Sequence, residues 1–481
     1  MNKFFLISLP AVILAGCTLA PKYHRPPPAV SSSWPGVPGS RETVTNAPTV
    51  PAADIGWRDF FRDPRLQRLI ELALTNNPDL RVATLNIREF QAQYRIQRNA
   101  LVPTVDINAS GTRQHIAYGF AGSGSGTTYN QYNVNLGVAS YELDLFGRVR
   151  SLKAQALENY FATEEARKSA QILLVAEVSA AYLTERELTE QLAVARQTLN
   201  SVQAAYKLTQ RSYDVGVVSE LDVRTAETQV EAARVNVAGY EQQLAQAKNY
   251  LVLLLGRPLP GDLPPPQAPN RQITLVGLPA GLPSGLLQRR PDILAAEHQL
   301  KAANANIGAA RAAFFPTITL TGSAGTSSTS LEGLFTPGSE VWNFSPQIRW
   351  PIFAAGTALA GLDAAEVSKL IQVQNYEKTI QTAFREVADA LAVRATVKKQ
   401  LTANQALVKA ERQRYELADA RFRHGVDSYL NVLSAQQALY NARQNLIQSR
   451  YSRLFNLINL YQALGGGWQE NTTNETAAIS N

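Results

Sequence analysis

NPDLRVATLNIREFQAQYRIQRNALVPTVDINASGT, residues 77–112, and RPDILAAEHQLKAANANIGAARAAFFPTITLTGSAGT, residues 290–326, are two copies of one pattern. Pro78 falls on Pro291 and Pro103 on Pro316, each at an offset of 213 (291 minus 78, 316 minus 103), with no gap needed. Farther on, YDVGVVSELDV from Tyr213 falls on FRHGVDSYLNV from Phe422, and LLLGRP from Leu253 on QALGGG from Gln462. Gly216 therefore matches Gly425, and Gly256 matches Gly465, at an offset of 209 (425 minus 216, 465 minus 256). A drift of only four positions over that distance marks an internal duplication, which sets the architecture before any single element is assigned.

Each copy reads as helix, strand, loop, strand, very long helix, Gly turn and returning helix. In the first copy the periodicity predicts helix at about 79 to 101, strands near 103 to 113 and 132 to 144, then helices at about 148 to 212 and 219 to 254. The long helix would run roughly 100 Å at 1.5 Å per residue. Strands at one end and a glycine turn at the other do not describe a compact enzyme. A Pro-rich stretch from Arg257 to Pro283 lies almost midway and reads as a connector. The resulting division is 1–16 signal peptide, 17–63 extended N-terminal segment, 64–256 first repeat, 257–284 connector, 285–465 second repeat and 466–481 tail.

The N-terminus begins with Lys3 and an apolar run from Phe4 to Ile13, followed by Leu14, Ala15, Gly16 and Cys17. The run is too short to cross a bilayer and reads as a cleaved export signal. Leu-Ala-Gly-Cys resembles a bacterial lipobox, so Cys17 is the expected site of diacylglycerol and acyl attachment. It is the only cysteine in the chain, which excludes an internal disulfide and a cysteine metal cluster. Thr18 follows where an Asp would resemble an inner-membrane retention signal, which points to sorting to the outer membrane. Pro21 to Pro51 has no apolar period and reads as an extended leash.

The strands alternate strictly. Val105, Ile107 and Ala109 alternate with Asp106, Asn108 and Ser110; Val134, Leu136 and Val138 with Asn133, Asn135 and Gly137. In the second copy Ile318 and Leu320 alternate with Thr317, Thr319 and Thr321, and Trp342, Phe344 and Ile348 with Asn343, Ser345, Gln347 and Arg349. An outer-membrane barrel needs one apolar and one polar face per strand, and a soluble sheet covering helices shows the same pattern. Export and the lack of any other membrane segment favour the barrel. Four strands cannot close one, so several chains must contribute. The Gly- and Ser-rich stretch from Gly119 to Thr128 is not followed by a helix opening on Lys-Ser or Lys-Thr, so it reads as a strand-joining loop instead of a phosphate cradle.

From Asn431 onward the last helix carries a heptad stripe of Leu433, Tyr440, Ile447, Leu454 and Tyr461, which predicts coiled-coil packing. A second face holds Asn431, Ser434, Asn441, Asn445, Gln448, Ser452 and Asn459, polar and uncharged; Asp222, Gln229, Asn236 and Gln243 repeat it in the first copy. Solvated exteriors usually carry Lys and Glu, so this face reads as the lining of a water-filled channel. The net charge is +7, but Lys and Arg are spread along helical stretches instead of gathering in one block with aromatic neighbours, which gives a nucleic-acid partner little support. The four histidines, His24, His115, His298 and His424, are scattered and no hydrolase or metal motif accompanies them. Two classes remain, a membrane duct and a pore-less coiled-coil lipoprotein.

IGWRDFFRDPRLQRLIELALTNNPDL (55–80), SYELDLFGRVR (140–150), GLPSGLLQRRPDI (281–293), RFRHGVDSYLNVLSAQQALYNARQNL (421–446) and LYQALGGGW (460–468) together resemble the outer-membrane factors of tripartite efflux pumps, TolC-like and more closely OprM-like lipoproteins. The resemblance implies a mainly α chain with a membrane β part. It implies a homotrimer whose four strands per chain make a twelve-stranded barrel, and whose long helices form a periplasmic α-barrel. It also implies a periplasmic adaptor at the helix-turn tips, an inner-membrane pump commonly of the resistance-nodulation-division type, no cofactor beyond the lipid on Cys17, and no catalysis. By position, adaptor contact falls on Gly216 and Gly425. The family's periplasmic gate falls on Asp222, Asn431 and Ser434, with aromatic positions at Tyr213 and Phe422 and with Arg224 and Asp427 as expected partners of Asp222. The second-copy gate acids of relatives are here Asn and Ser, so the ring carries less charge.

Overall fold

The computed structural model describes residues 18–27, 30, 31, 34, 50–117, 126–267, 278, 283–353 and 355–472; Cys17, the loop stretch 118–125 and the tail beyond 472 lie outside them. A 3-10 turn at Ala52–Asp54 leads into α1 (Trp57–Phe60) and α2 (Pro64–Asn76). The first copy follows as α3 (Pro78–Asn99), β1 (Asp106–Ile116), β2 (Thr127–Leu143), α4 (Arg148–Asp214) and α5 (Glu220–Leu255). After α6 (Pro283–Arg289) the second copy repeats that order as α7 (Pro291–Ala312), β3 (Thr317–Ser328), β4 (Glu340–Arg349), α8 (Ala355–Arg423) and α9 (Tyr429–Ala463). No described helix is long and apolar enough to cross a membrane.

α4 runs for 67 residues because nothing in it breaks a helix: it contains neither Pro nor Gly, and it ends where Gly216 takes a left-handed φ of +77°. Three strand boundaries differ from the sequence expectation by three residues or more, both ends of β1 (106 and 116 against 103 and 113) and the start of β2. β1 starts at Asp106 because α3 finishes in a tightened turn, with Leu101 N–H donating to Arg98 O and Val102 N–H to Asn99 O. β2 starts five residues earlier than expected, since Thr127 to Gln131 pair with Thr112 to Ile116 although their side chains are nearly all polar.

The chain divides into two compact units. One comprises Asn86–Glu164, Ala295–Tyr376 and the chain up to Pro27, and holds a single antiparallel sheet in the order β1-β2-β3-β4. Its register carries Ile107 opposite Leu136, Leu136 opposite Ala324 and Ala324 opposite Trp342, an apolar ladder across all four strands. The neighbouring ladder runs Asp106, Gly137, Ser323 and Asn343, so the alternation seen in each strand becomes two chemically distinct sheet faces. β2 carries a bulge between Val138 and Tyr141, where Ser140 holds a φ of +56° and donates its N–H to Thr321 Oγ1.

In the same unit the segment after Thr18 is seated along α7 instead of hanging free. Asn304 Nδ2 donates to Pro21 O at 2.8 Å and Arg311 to Leu19 O at 3.3 Å. Arg25 makes two bonds to the buried Glu297 carboxylate at 3.1 and 2.5 Å, joined by Tyr23 O–H at 3.2 Å and Lys301 Nζ at 3.3 Å. Together these hold Glu297 below the usual carboxylate range against the desolvation that would raise it. A Cβ on Gly308 would stand 2.8 Å from Ala20, so glycine is what lets the strand-like segment lie this close.

The other unit comprises Pro28–Leu85, Glu165–Leu294 and Glu377–Asn481. Its core gathers Trp57, Phe61, Leu66, Leu69, Ile70, Tyr182, Leu183, Leu251, Leu255, Tyr451 and Tyr461, each below 2% exposed. Phe60 stacks on Tyr461 at 4.0 Å, and Tyr182 O–H donates to Asp63, which also caps α2 through Arg65 N–H. Arg290, buried, bonds Asp292, Glu386 and the Ala463 carbonyl. The stripe Leu433, Tyr440, Ile447, Leu454, Tyr461 is buried throughout, while Asn431, Ser434, Asn441, Asn445, Gln448, Ser452 and Asn459 are all exposed.

Candidate functional site

The two glycine turns are built alike because the sequence repeats through them. At the end of α4, Gly216 N–H donates to Tyr213 O at 2.8 Å and Val217 N–H to Ser212 O at 2.9 Å. At the end of α8, Gly425 N–H donates to Phe422 O and Val426 N–H to Arg421 O, both at 2.9 Å. This 5→2 and 6→1 pair needs a left-handed residue at the glycine, and Gly425 has a φ of +67°. Nothing lies within 4 Å of where a Cβ would stand on either glycine, so both backbones face open space.

Each hairpin is zipped below its turn by a small apolar cluster: Val202, Val230 and Ala233 with Leu199 and Tyr206 between α4 and α5, and Val408, Leu439 and Ala442 with Tyr415 and Leu446 between α8 and α9. Tyr206 and Tyr415, Val230 and Leu439, and Ala233 and Ala442 are equivalent positions at the 209 offset (415 minus 206). Next to the turns the packing stops. Val217, Leu221, Val426 and Leu430 are 75, 74, 63 and 66% exposed, an apolar quartet that sequence reading passed over. The signal was available, since Val217 matches Val426 and Leu221 matches Leu430 at the same offset.

Asp222 is occupied locally. Ser219 caps α5, its Oγ accepting from Asp222 N–H at 3.3 Å, while Asp222 Oδ2 accepts from Ser219 N–H at 3.0 Å and its hydroxyl at 2.7 Å. This is a capping box with Asp in place of Glu. Arg224 and Asp427 do not pair with Asp222. Arg224 bonds Glu227 at 2.9 Å and Glu220 at 3.4 Å, one turn away on its own helix, where i,i+3 and i,i+4 partners are within easy reach. Asp427 accepts from Asn431 Nδ2 at 2.6 Å, from Ser428 N–H at 2.9 Å and from Arg421 at 3.2 Å, which holds its carboxyl below the usual range. Asn431 is thus turned toward Asp427, and Ser428 caps α9 without a side-chain bond. Ser434 accepts from Arg414 at 3.2 Å. Phe422 lies 5.1 Å from the Tyr429 ring, and burial, with Tyr415 and Asp419 nearby, pushes the Tyr429 hydroxyl up to about 12. Tyr213, the other aromatic position, is exposed.

The arrangement therefore offers glycine backbones and apolar side chains at two equivalent tips. Behind them lie Asp222 on one hairpin, Asp427, Asn431 and Ser434 on the other, and the uncharged exposed face of α9. Such an arrangement suits docking at the tips and passage along a wetted face.

Known proteins agree with this reading. The chain matches the family described as outer membrane efflux protein over residues 69–257 and 282–466, spans that follow the two copies of the duplication. It is 50% identical to the probable efflux pump outer membrane protein TtgC of Pseudomonas putida, over 100% of this chain and 99% of that one. It is 43% identical to outer membrane protein OprJ of Pseudomonas aeruginosa, covering 96% and 95%. Among solved structures, the open state of the Neisseria gonorrhoeae MtrE outer membrane channel superposes with a TM-score of 0.85 at 42% identity, covering 95% of this chain and 100% of that one. Architecture, duplication and likeness over the whole length converge, and the chain belongs to the outer membrane efflux protein family.

Proposed function

We propose that this member of the family is the passive duct of a tripartite efflux assembly, a homotrimer that shares one twelve-stranded barrel in the outer membrane and continues as a helical tube in the periplasm. The observation that carries the reading is the four-stranded sheet with one apolar face and two unpaired edges, β1 and β4. Lipid offers no water to satisfy an open edge, so the sheet needs further strands from other copies. The exposed Asn, Gln and Ser face of α9 is the wall that polar solutes would pass, wetted without a fixed charge to hold them.

Cys17 carries the lipid anchor. A periplasmic adaptor docks at Gly216 and Gly425, where open backbone lies beside Val217, Leu221, Val426 and Leu430, and an inner-membrane pump of the resistance-nodulation-division type supplies the energy. Asp222, Asn431 and Ser434 line the periplasmic gate with Tyr213 and Phe422, and Arg224 and Asp427 set its charge from within each tip. Asp222 Oδ1 has no bond among the described residues, which leaves it available to a neighbouring chain while Oδ2 serves the cap. Relatives are named for efflux of toluene, solvents and antibiotics, and small apolar or amphipathic toxic compounds of that kind are the cargo. The duct itself catalyses no reaction.

Deletion in the parent cell tests the proposal: susceptibility to solvents and hydrophobic antibiotics should rise, and outer-membrane extracts of complemented cells should give a heat-modifiable trimer. A monomer in those extracts, with unchanged susceptibility on deletion, would refute it.

A further inference from the structure

The free edges β1 and β4 have a predictable partner, because the duplication makes β2 the counterpart of β4 and β3 the counterpart of β1. Within the chain, Leu143 stands opposite Ile318, Glu142 opposite Thr319 and Tyr141 opposite Leu320. β2 is carried onto β4 by 207 positions, the distance between the starts of α4 and α8 (355 minus 148). β3 is carried onto β1 by the 213 that separates Pro103 from Pro316. The three pairs become Trp350 opposite Val105, Arg349 opposite Asp106 and Ile348 opposite Ile107. In the shared barrel β4 of one protomer necessarily meets β1 of the next; for that seam we propose this register, with Arg349 facing Asp106.

Four features of the two edges favour it. The register keeps faces consistent: Ile348 and Ile107 both belong to the apolar side of the sheet, Arg349 and Asp106 to the polar side. The charges are complementary, and neither Asp106 nor Arg349 has a side-chain partner among the described residues, so each is free to meet the other. A slip by two residues would preserve the faces but set Arg349 against Thr104 or Asn108 and lose the match. Where β2 hands over to α4, Phe146 stacks on Phe315 at 4.6 Å. The equivalents Phe353 and Val102 are 101% and 63% exposed, the same joint with its halves on opposite edges of one chain. Pro346, which has no N–H to offer a neighbouring strand, falls at the counterpart of Ala139 in the β2 bulge, so the missing donor sits where regular pairing is interrupted anyway.

The inference rests on the shared-barrel reading, and the test separates the two. In full-length protein inserted in the outer membrane, Asp106→Cys combined with Arg349→Cys should give covalent dimers and trimers on non-reducing gels that collapse on reduction, since Cα atoms of directly opposed strand residues lie within disulfide range. Asn108→Cys with Arg349→Cys should give at least severalfold less. Against misfolding of a cysteine variant, Asp106→Arg and Arg349→Asp should each lower the temperature at which the oligomer dissociates, and the two together should restore it. A stable oligomer that crosslinks through position 108, or not at all, or that gains nothing from the charge swap, overturns the register and leaves the shared barrel standing. Unmodified protein that forms no oligomer overturns both.

Discussion

Ser219→Ala and Asp222→Ala remove the same capping box from opposite ends, and comparing them separates a structural role of Asp222 from a gating one. The box contributes two backbone bonds, of 3.3 and 3.0 Å, at an exposed helix start. Loss of an exposed cap costs about 1 kcal/mol, and of the two variants only Asp222→Ala also removes a negative charge from the N-terminus of α5, where Glu220 is the other first-turn acid, a further cost of roughly 0.5 kcal/mol. About 1 kcal/mol raises the population of the frayed first turn roughly fivefold, so amide exchange at Asp222 and Val223 should quicken by that factor in Ser219→Ala and somewhat more in Asp222→Ala. Hydrogen-exchange mass spectrometry reads this, and single-channel recording in planar bilayers reads the gate. The gate assignment expects Asp222→Ala alone to alter conductance or gating. Equal conductance changes in both variants would mean that Asp222 acts only through the cap, and no change in Asp222→Ala would reduce it to a surface charge.

Arg290→Ala should destabilise the helical unit by about 2 to 3 kcal/mol, because it leaves Asp292, Glu386 and the Ala463 carbonyl without their donor, although both acids are partly solvated; the drop in thermal midpoint measures it. Glu187 is pushed up to about 6 by burial and by the neighbouring Glu190, so its folded value exceeds the ordinary 4.5. The folded state then binds the proton more tightly, stability falls as pH rises from about 4.5 to 6, and Glu187→Gln should gain about 1 kcal/mol at pH 7 after allowance for solvent screening and flatten that window in melting curves. Ser140→Gly should stabilise the sheet by about 1 kcal/mol, since glycine holds a φ of +56° without the Cβ clash and the N–H to Thr321 is kept; the thermal midpoint should rise.

The elements legible in the sequence were those that local patterns dictate. The glycine stops of the long helices and the alternation of β1 to β4 follow from spacing within one segment, and the duplication from the recurrence of such segments 209 to 213 positions apart. The first residues of β2 were missed because Thr127 to Gln131 carry almost no apolar alternation and are strands only by virtue of pairing with Thr112 to Ile116. At the tips, Ser-x-x-Asp at Ser219 and Asp222 held a capping-box signal that the gate assignment passed over, and Arg224 and Asp427 found closer partners in Glu227, Asn431 and Arg421. The docking of Thr18 to Pro27 could not be read at all. Its contacts depend on Glu297, Asn304 and Arg311, and a Pro-rich stretch with no period looks the same whether it is solvated or seated.

That docking carries a consequence for the order of events in biosynthesis. Arg25 and Glu297 are separated by 272 positions, Pro21 and Asn304 by 283, and Leu19 and Arg311 by 292. The start of the chain leaves the ribosome first, yet its seat on α7 does not exist until well over half of the protein has been made. Thr18 to Pro27 therefore emerge early, and the clasp can close only once α7 has been made. Closure of the clasp is thus a late event, timed by when α7 becomes available to residues made long before it.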